Sequence, residues 1–156
     1  MSKLKTYLGY LYEYLRYGDL GSIFASVNYI TRKKSHKNDR IIRSRIGRFY
    51  CRKNTNDFQF ANYRYEWEVK KFILKRIIDY NVLIDVGACV GTYCILAEKK
   101  GVRCFAFEPV PENYKTLNTN LMLNRLRNVV QVFPFGLGDS NRQANFSVNP
   151  VNTGAS

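Results

Sequence analysis

The sequence predicts an α/β chain whose second half is a βαβαβ unit with parallel strands, preceded by N-terminal helices and a β-hairpin. Three observations carry this reading. Short apolar runs alternate with helical patterns from Val82 onward, two glycines stand where the first run hands over to a helix, and an acid, Glu108, ends the second run.

Length and composition set the frame. A chain of 156 residues, 46% hydrophobic and 24% charged, can bury one ordinary core, so a single globular domain with appendages is expected. No run approaches the roughly 18 apolar residues of a membrane span. The start MSKLKTYLGYLYEYLRYG lacks the uninterrupted apolar core of a signal peptide, so the chain is expected in the cytoplasm. Cys51, Cys89, Cys94 and Cys104 make no C-x-x-C pair and His36 stands alone, so the thiols are read as reduced and no metal site is expected.

Residues 1–38 read as an amphipathic helical segment with a basic connector. Leu4, Leu8, Leu11 and Leu15 recur at helical spacing beside a second stripe, Tyr7, Tyr10, Tyr14 and Tyr17, leaving Lys5, Gly9, Glu13 and Arg16 as a narrow polar face. A helix so widely apolar calls for a groove, a partner helix or a membrane interface. After Gly18 and Gly21, Leu20 to Ile30 reads as a second short helix, and Thr31 to Arg40 as a solvated basic loop. Residues 39–81 form the next segment. Ile41 to Ile46 and Arg48 to Arg52 read as a hairpin around Gly47, and Tyr65 to Tyr80 as a helix burying Tyr65, Val69, Ile73 and Ile77.

Residues 82–156 carry the chemistry. Val82 to Val86 is a nearly continuous apolar run, as in a parallel strand sheltered on both faces. It runs into Gly87-Ala88-Cys89-Val90-Gly91, and Thr92 to Lys100 reads as a helix stopped by Gly101. A strand, a glycine turn and a helix start let backbone N–H groups approach a polar ligand closely. The next strand, Val102 to Phe107, ends in Glu108, about 20 residues along, where this arrangement places an acid on ribose hydroxyls. A dinucleotide fingerprint would need glycines at 87, 89 and 92, and the chain has Cys89 and Thr92 at the last two. Asp85, inside the apolar run, is placed to receive a cationic amino group, which S-adenosylmethionine has and NAD lacks.

DVGACVGTY, FAFEPVPENY, the N-rich NTNLMLN and VVQVFPFGLGD together resemble the FkbM-type methyltransferase family, over about half the chain from Tyr80 onward; RFYCRKNTNDF resembles the lead-in many members carry. The resemblance implies a Rossmann-like class I methyltransferase fold using S-adenosyl-L-methionine. It implies that Asp85, Gly87, Ala88 and Gly91 hold the methionine end, that Glu108 takes the ribose diol, and that Asp139 lies near the adenine. The acceptor it implies is a hydroxyl on a sugar, polyketide or other small molecule. Cys89 stands where the family more often has Asn. The family also continues into further strands with a D-x-E-G motif, whereas this sequence stops at Ser156, so an incomplete sheet of three strands and a chain inactive by itself are expected. No catalytic base is visible.

The rival reading is a basic nucleic-acid-binding module. The net charge is +13, and through Asn56 there are 13 Lys or Arg against 3 Asp or Glu, alongside 12 tyrosines in the whole chain. Because the basic residues avoid the motif-bearing half and the tyrosines follow packing positions, no nucleic acid is expected as a partner. A peripheral membrane contact through the N-terminal helix is a further reading.

Overall fold

Three parallel strands, β3 (Val82–Val86), β4 (Arg103–Phe107) and β5 (Gln131–Phe133), lie in the order β3-β4-β5 in a computed structural model of the chain, which describes residues 3–143, 145, 147, 149 and 151–154. The first strand of the unit is therefore an edge of this three-stranded sheet. Val82 to Val86 pair with Arg103 to Phe107, and Phe105 to Phe107 with Gln131 to Phe133. β5 starts two residues later than the apolar run, because the N–H groups of Val129 and Val130 are spent on the Leu126 carbonyl in the preceding turn.

Helices α5 (Thr92–Glu98) and α6 (Pro111–Leu123) connect the strands. The alternation of a strand sends Leu83, Cys104, Ala106 and Val132 into the core with Cys94, Ile95, Leu117 and Leu121 of these helices. The opposite face is open. Val82, Ile84 and Val86 are exposed there, Ile84 at 61%. Beside them Phe107 and Phe133 stack with centroids 4.8 Å apart, and Phe135 leans on both.

Ahead of the sheet come α1 (Lys3–Arg16), α2 (Leu20–Arg32), a hairpin of β1 (Arg40–Arg43) and β2 (Arg48–Cys51), α3 (Asp57–Ala61), and α4 (Trp67–Arg76) continued by a 3-10 turn over 77–79. α1 turns Tyr14 inward, with Tyr10 and Tyr17 half-buried beside it and Tyr7 exposed. Tyr14 is buried with its hydroxyl donating to the Phe58 carbonyl at 3.4 Å, a partner that leucine cannot use, while the leucine stripe faces out. Glu13, on the expected polar face, is buried as well.

The basic connector is solvated over Thr31 to Lys34 and Lys37 to Asp39, as its composition implies, but it is pinned at its end. Arg40 pairs with Asp19, the N-cap of α2, at 2.8 Å, which draws the connector against the helices and buries His36 edge-on against Phe58. β1 ends before Ile46 because the Ser44 N–H donates to the Gly47 carbonyl at 2.8 Å and the Ser44 hydroxyl accepts from Ile46 N–H, closing a tight turn. α4 is shorter than the expected 65–80. Ile73 and Ile77 face inward as expected, joined by Trp67, Lys70 and Leu74, while Val69 is exposed.

The hairpin is joined to the sheet by asparagine side chains acting as a surrogate strand. Asn120 Oδ1 accepts the Tyr50 N–H at 2.7 Å, while Asn124 accepts the Arg48 N–H at 3.0 Å and donates to the Arg48 carbonyl at 2.7 Å. Residues four apart on a helix rise about 6 Å and residues two apart on a strand about 6.7 Å, so α6 can satisfy alternate peptides along β2. Asn120 Nδ2 also donates to the Val90 carbonyl at 2.9 Å, which ties this junction to the glycine turn.

Candidate functional site

The turn between β3 and α5 is held in an unusual backbone conformation. Gly87, Cys89 and Gly91 all have positive φ, at 78°, 48° and 83°. At Gly87 nothing lies within 4 Å of a built Cβ, so glycine is required there by conformation and not by crowding. At Gly91 both reasons apply, since a Cβ would lie 3.2 Å from Leu117 Cγ.

The turn is laced to the end of β4. Gly87 and Ala88 N–H donate to the Phe107 carbonyl at 2.8 and 3.1 Å. Glu108, only 3% exposed, accepts the Cys89 N–H on Oε2 at 2.7 Å and the Val110 N–H on Oε1 at 2.9 Å. Its carboxylate is thus turned under the turn, although each oxygen keeps acceptor capacity beyond one N–H.

Above the turn lies a pocket of about 220 Å³ whose walls include Phe60, Lys70, Asp85, Gly87, Ala88 and Tyr93. Asp85 is half-buried, with the Cys94 thiol donating to it at 3.3 Å. Burial pushes its carboxyl up to about 6 against that hydrogen bond, and the nearby Glu108 carboxylate adds to the rise. Lys70 is fully buried and donates to the carbonyls of Asn62 and Tyr65, with its ammonium also over the rings of Tyr65 and Tyr93. Burial lowers it to about 8, and the Glu66 carboxylate opposes that shift. The pocket therefore presents two acids, Asp85 and Glu66, the latter already accepting from the Tyr93 hydroxyl at 2.8 Å, and one ammonium, which donates to neutral carbonyls.

Gly154, from far along the chain, completes the lining, and the residue before it is tied down by side chains. Thr153 donates from Oγ1 to Asp57 at 2.9 Å, and its carbonyl accepts from Asn113 Nδ2 at 3.0 Å and from the Cys89 thiol at 3.5 Å. Arg52 grips Asp57 with two nitrogens at 2.7 and 2.9 Å and reaches Asn113 at 2.9 Å. This network explains why RFYCRKNTNDF lies next to the glycine turn in space. The Cys89 thiol is pushed up to about 12, chiefly by burial, which favours its protonated form.

Of the residues expected to act together, Asp85, Gly87 and Ala88 line the pocket, Gly91 caps α5, and Glu108 braces the turn from below. Asp139 is not with them. It is 82% exposed, accepts from the Ser140 hydroxyl at 3.0 Å, and lies 3.7 Å from Arg142. Lys70 was absent from the expected set, yet a signal for it existed, because 67, 70, 74 and 77 recur at helical spacing and place it on the apolar face. Asn113, Asn120 and Asp57 had no comparable signal, being polar residues whose partners are remote in sequence. Among the described residues there is no cluster of three metal-ligating side chains, and no helix is long and apolar enough to cross a membrane. The chain matches no protein-family model, no curated protein and no solved structure.

Proposed function

We propose that the glycine turn binds S-adenosylmethionine and that this chain carries the cofactor-binding half of a Rossmann-like methyltransferase acting on a hydroxyl of a sugar, polyketide or other small molecule. The observation that carries the reading is the pairing of Asp85 and Lys70 on the walls of one pocket beside a turn of positive φ. A zwitterionic amino-acid end offers an ammonium to the first and a carboxylate to the second. At about 220 Å³ the pocket is smaller than the roughly 300 Å³ at which small-molecule sites begin, and so suits that end alone, with the nucleoside lying outward along the strand ends. On this reading Glu108 acts through the turn, which it holds from below by accepting the Cys89 and Val110 N–H groups. Asp139 takes no part in the site in its present position.

Bound there, the cofactor would supply an electrophilic methyl group on a sulfonium. Methyl transfer is a displacement in which alignment dominates, so what these residues contribute is orientation: Asp85 and Lys70 fix the amino-acid end and the turn fixes the ribose edge. The acceptor oxygen must lose its proton, and no residue of the pocket is assigned that task. Titration calorimetry with S-adenosylmethionine, S-adenosylhomocysteine and NAD tests the reading. Binding of the first two and not the third is expected, with Asp85→Ala abolishing it. Absence of any binding by the folded chain would sink it.

A second reading, a nucleic-acid-binding module without catalysis, has one observation in its favour. Arg43, Arg45, Arg48, Lys99 and Arg125 line a concavity of about 480 Å³ without an acid among the lining residues. Lys99 and Arg125 follow the C-terminal ends of α5 and α6, where a cation is already favoured by the helix dipole. Salt-sensitive retention on DNA or RNA that Arg43→Gln with Arg48→Gln removes would establish this reading instead.

A further inference from the structure

Two stripes of apolar side chains face outward on the first two helices. On α1 they are Leu4, Leu8, Leu11 and Leu15, between 38% and 68% exposed; on α2 they are Leu20, Phe24, Val27 and Ile30, between 56% and 70% exposed. Their helical spacing makes each stripe one face. The stripes also meet, since a groove of about 580 Å³ between the helices has Tyr7 and Leu11 on one wall and Val27 and Ile30 on the other. A contiguous apolar surface of this kind marks a place of contact.

Charge identifies what covers it. The helical pair contains two acids, Glu13 and Asp19, and both are buried, Asp19 in its ion pair with Arg40. The cations point the other way. Arg16, Arg32, Lys33, Lys34 and Lys37 are all exposed, at the helix ends and in the connector beyond α2. The outer surface is therefore apolar along its stripes and positive at its margins. A bilayer of anionic lipid matches both features, with acyl chains for the stripes and headgroup phosphates for the cations. At 14 and 13 residues the helices are about 20 Å long, short of the roughly 30 Å hydrocarbon core, so they suit the plane of the interface.

We propose that α1 and α2 form an in-plane docking element for an anionic membrane surface. Flotation of the full chain with vesicles of phosphatidylcholine alone, and with vesicles containing about a third phosphatidylserine, tests this. The chain should rise with the anionic vesicles, stay below with the neutral ones, and be released by raised salt. Leu8→Glu with Phe24→Glu alters two exposed positions and should lower flotation at least about tenfold. Lys33→Gln with Lys34→Gln, which leaves the apolar face untouched, should lower it several-fold on anionic vesicles only. A wild-type chain that stays below with both vesicle types overturns the proposal. So does flotation unchanged in both variants. Concentration-dependent dimers that the Leu8/Phe24 variant abolishes, without flotation by the wild type, would assign the face to a second copy of the chain.

Discussion

Glu108 accepts the backbone N–H of Cys89 at 2.7 Å, so the acid that ends β4 holds the turn that follows β3. Its other oxygen takes the Val110 N–H at 2.9 Å. Both oxygens of one side chain are thus spent on backbone donors, and what that brace contributes can be measured. Glu108→Ala leaves two donors beneath the turn without an acceptor and should destabilise the fold by on the order of 3 kcal/mol. Glu108→Gln keeps one acceptor and should cost less. Urea unfolding of the two variants checks this, and an alanine variant as stable as wild type would show that the brace contributes nothing.

Asp85 should make the protein less stable as pH rises. Its folded carboxyl titrates at about 6 against 3.8 for an ordinary aspartate, so the folded state holds the proton more tightly. The penalty is absent below about pH 4, grows between 4 and 6, and is complete above. Discounted for the partial exposure of the group, it is on the order of 2 kcal/mol. Asp85→Asn should therefore be more stable than wild type at pH 7.5 and equal to it at pH 4, while losing cofactor binding. Thermal melts at both pH values decide the point, and an Asn variant less stable at pH 7.5 would contradict it.

Lys70 has the opposite dependence. Its folded ammonium is lowered to about 8 from 10.5, so burying the charge is most costly below pH 8 and the cost falls away as pH rises toward 10.5. Lys70→Met should remove that pH dependence, so that its stability relative to wild type is highest below pH 8 and declines toward pH 10.5, which urea unfolding across that range checks. It should also weaken S-adenosylmethionine about tenfold or more while leaving decarboxylated S-adenosylmethionine unaffected. Equal losses on both ligands would remove the carboxylate from Lys70 but leave the cofactor assignment standing.

The open side of the sheet should drive self-association. Ile84 and Val86 are 61% and 57% exposed beside the Phe107–Phe133–Phe135 cluster, and β3 is an unpaired edge. Ile84→Lys with Val86→Thr should shift the chain toward monomer in sedimentation velocity with little loss of stability, because neither side chain is in the core. Wild-type monomer at all concentrations would show that the face is tolerated in water.

Local patterning by itself determined the elements: the alternation of apolar runs and helices, the glycine turn and the acid at the end of β4 all follow from residues close together in the chain. Asp85, Gly87 and Ala88 were legible as a site for the same reason, since a strand and the turn that follows it deliver neighbouring residues to one pocket. What only the tertiary structure decided is where polar groups find partners. Whether the leucines or the tyrosines of α1 face inward depends on the Phe58 carbonyl reached by Tyr14, 44 residues away. Glu108 turns under the loop because Cys89 and Val110 offer N–H groups there, and Asn120 serves β2 because α6 lies along its edge. Lys70 is buried because the carbonyls of Asn62 and Tyr65 converge on it. Hydrophobic periodicity is a property of the nearest turns of chain, whereas a buried hydrogen bond is a property of two segments brought together, and only the assembled fold contains both of its ends.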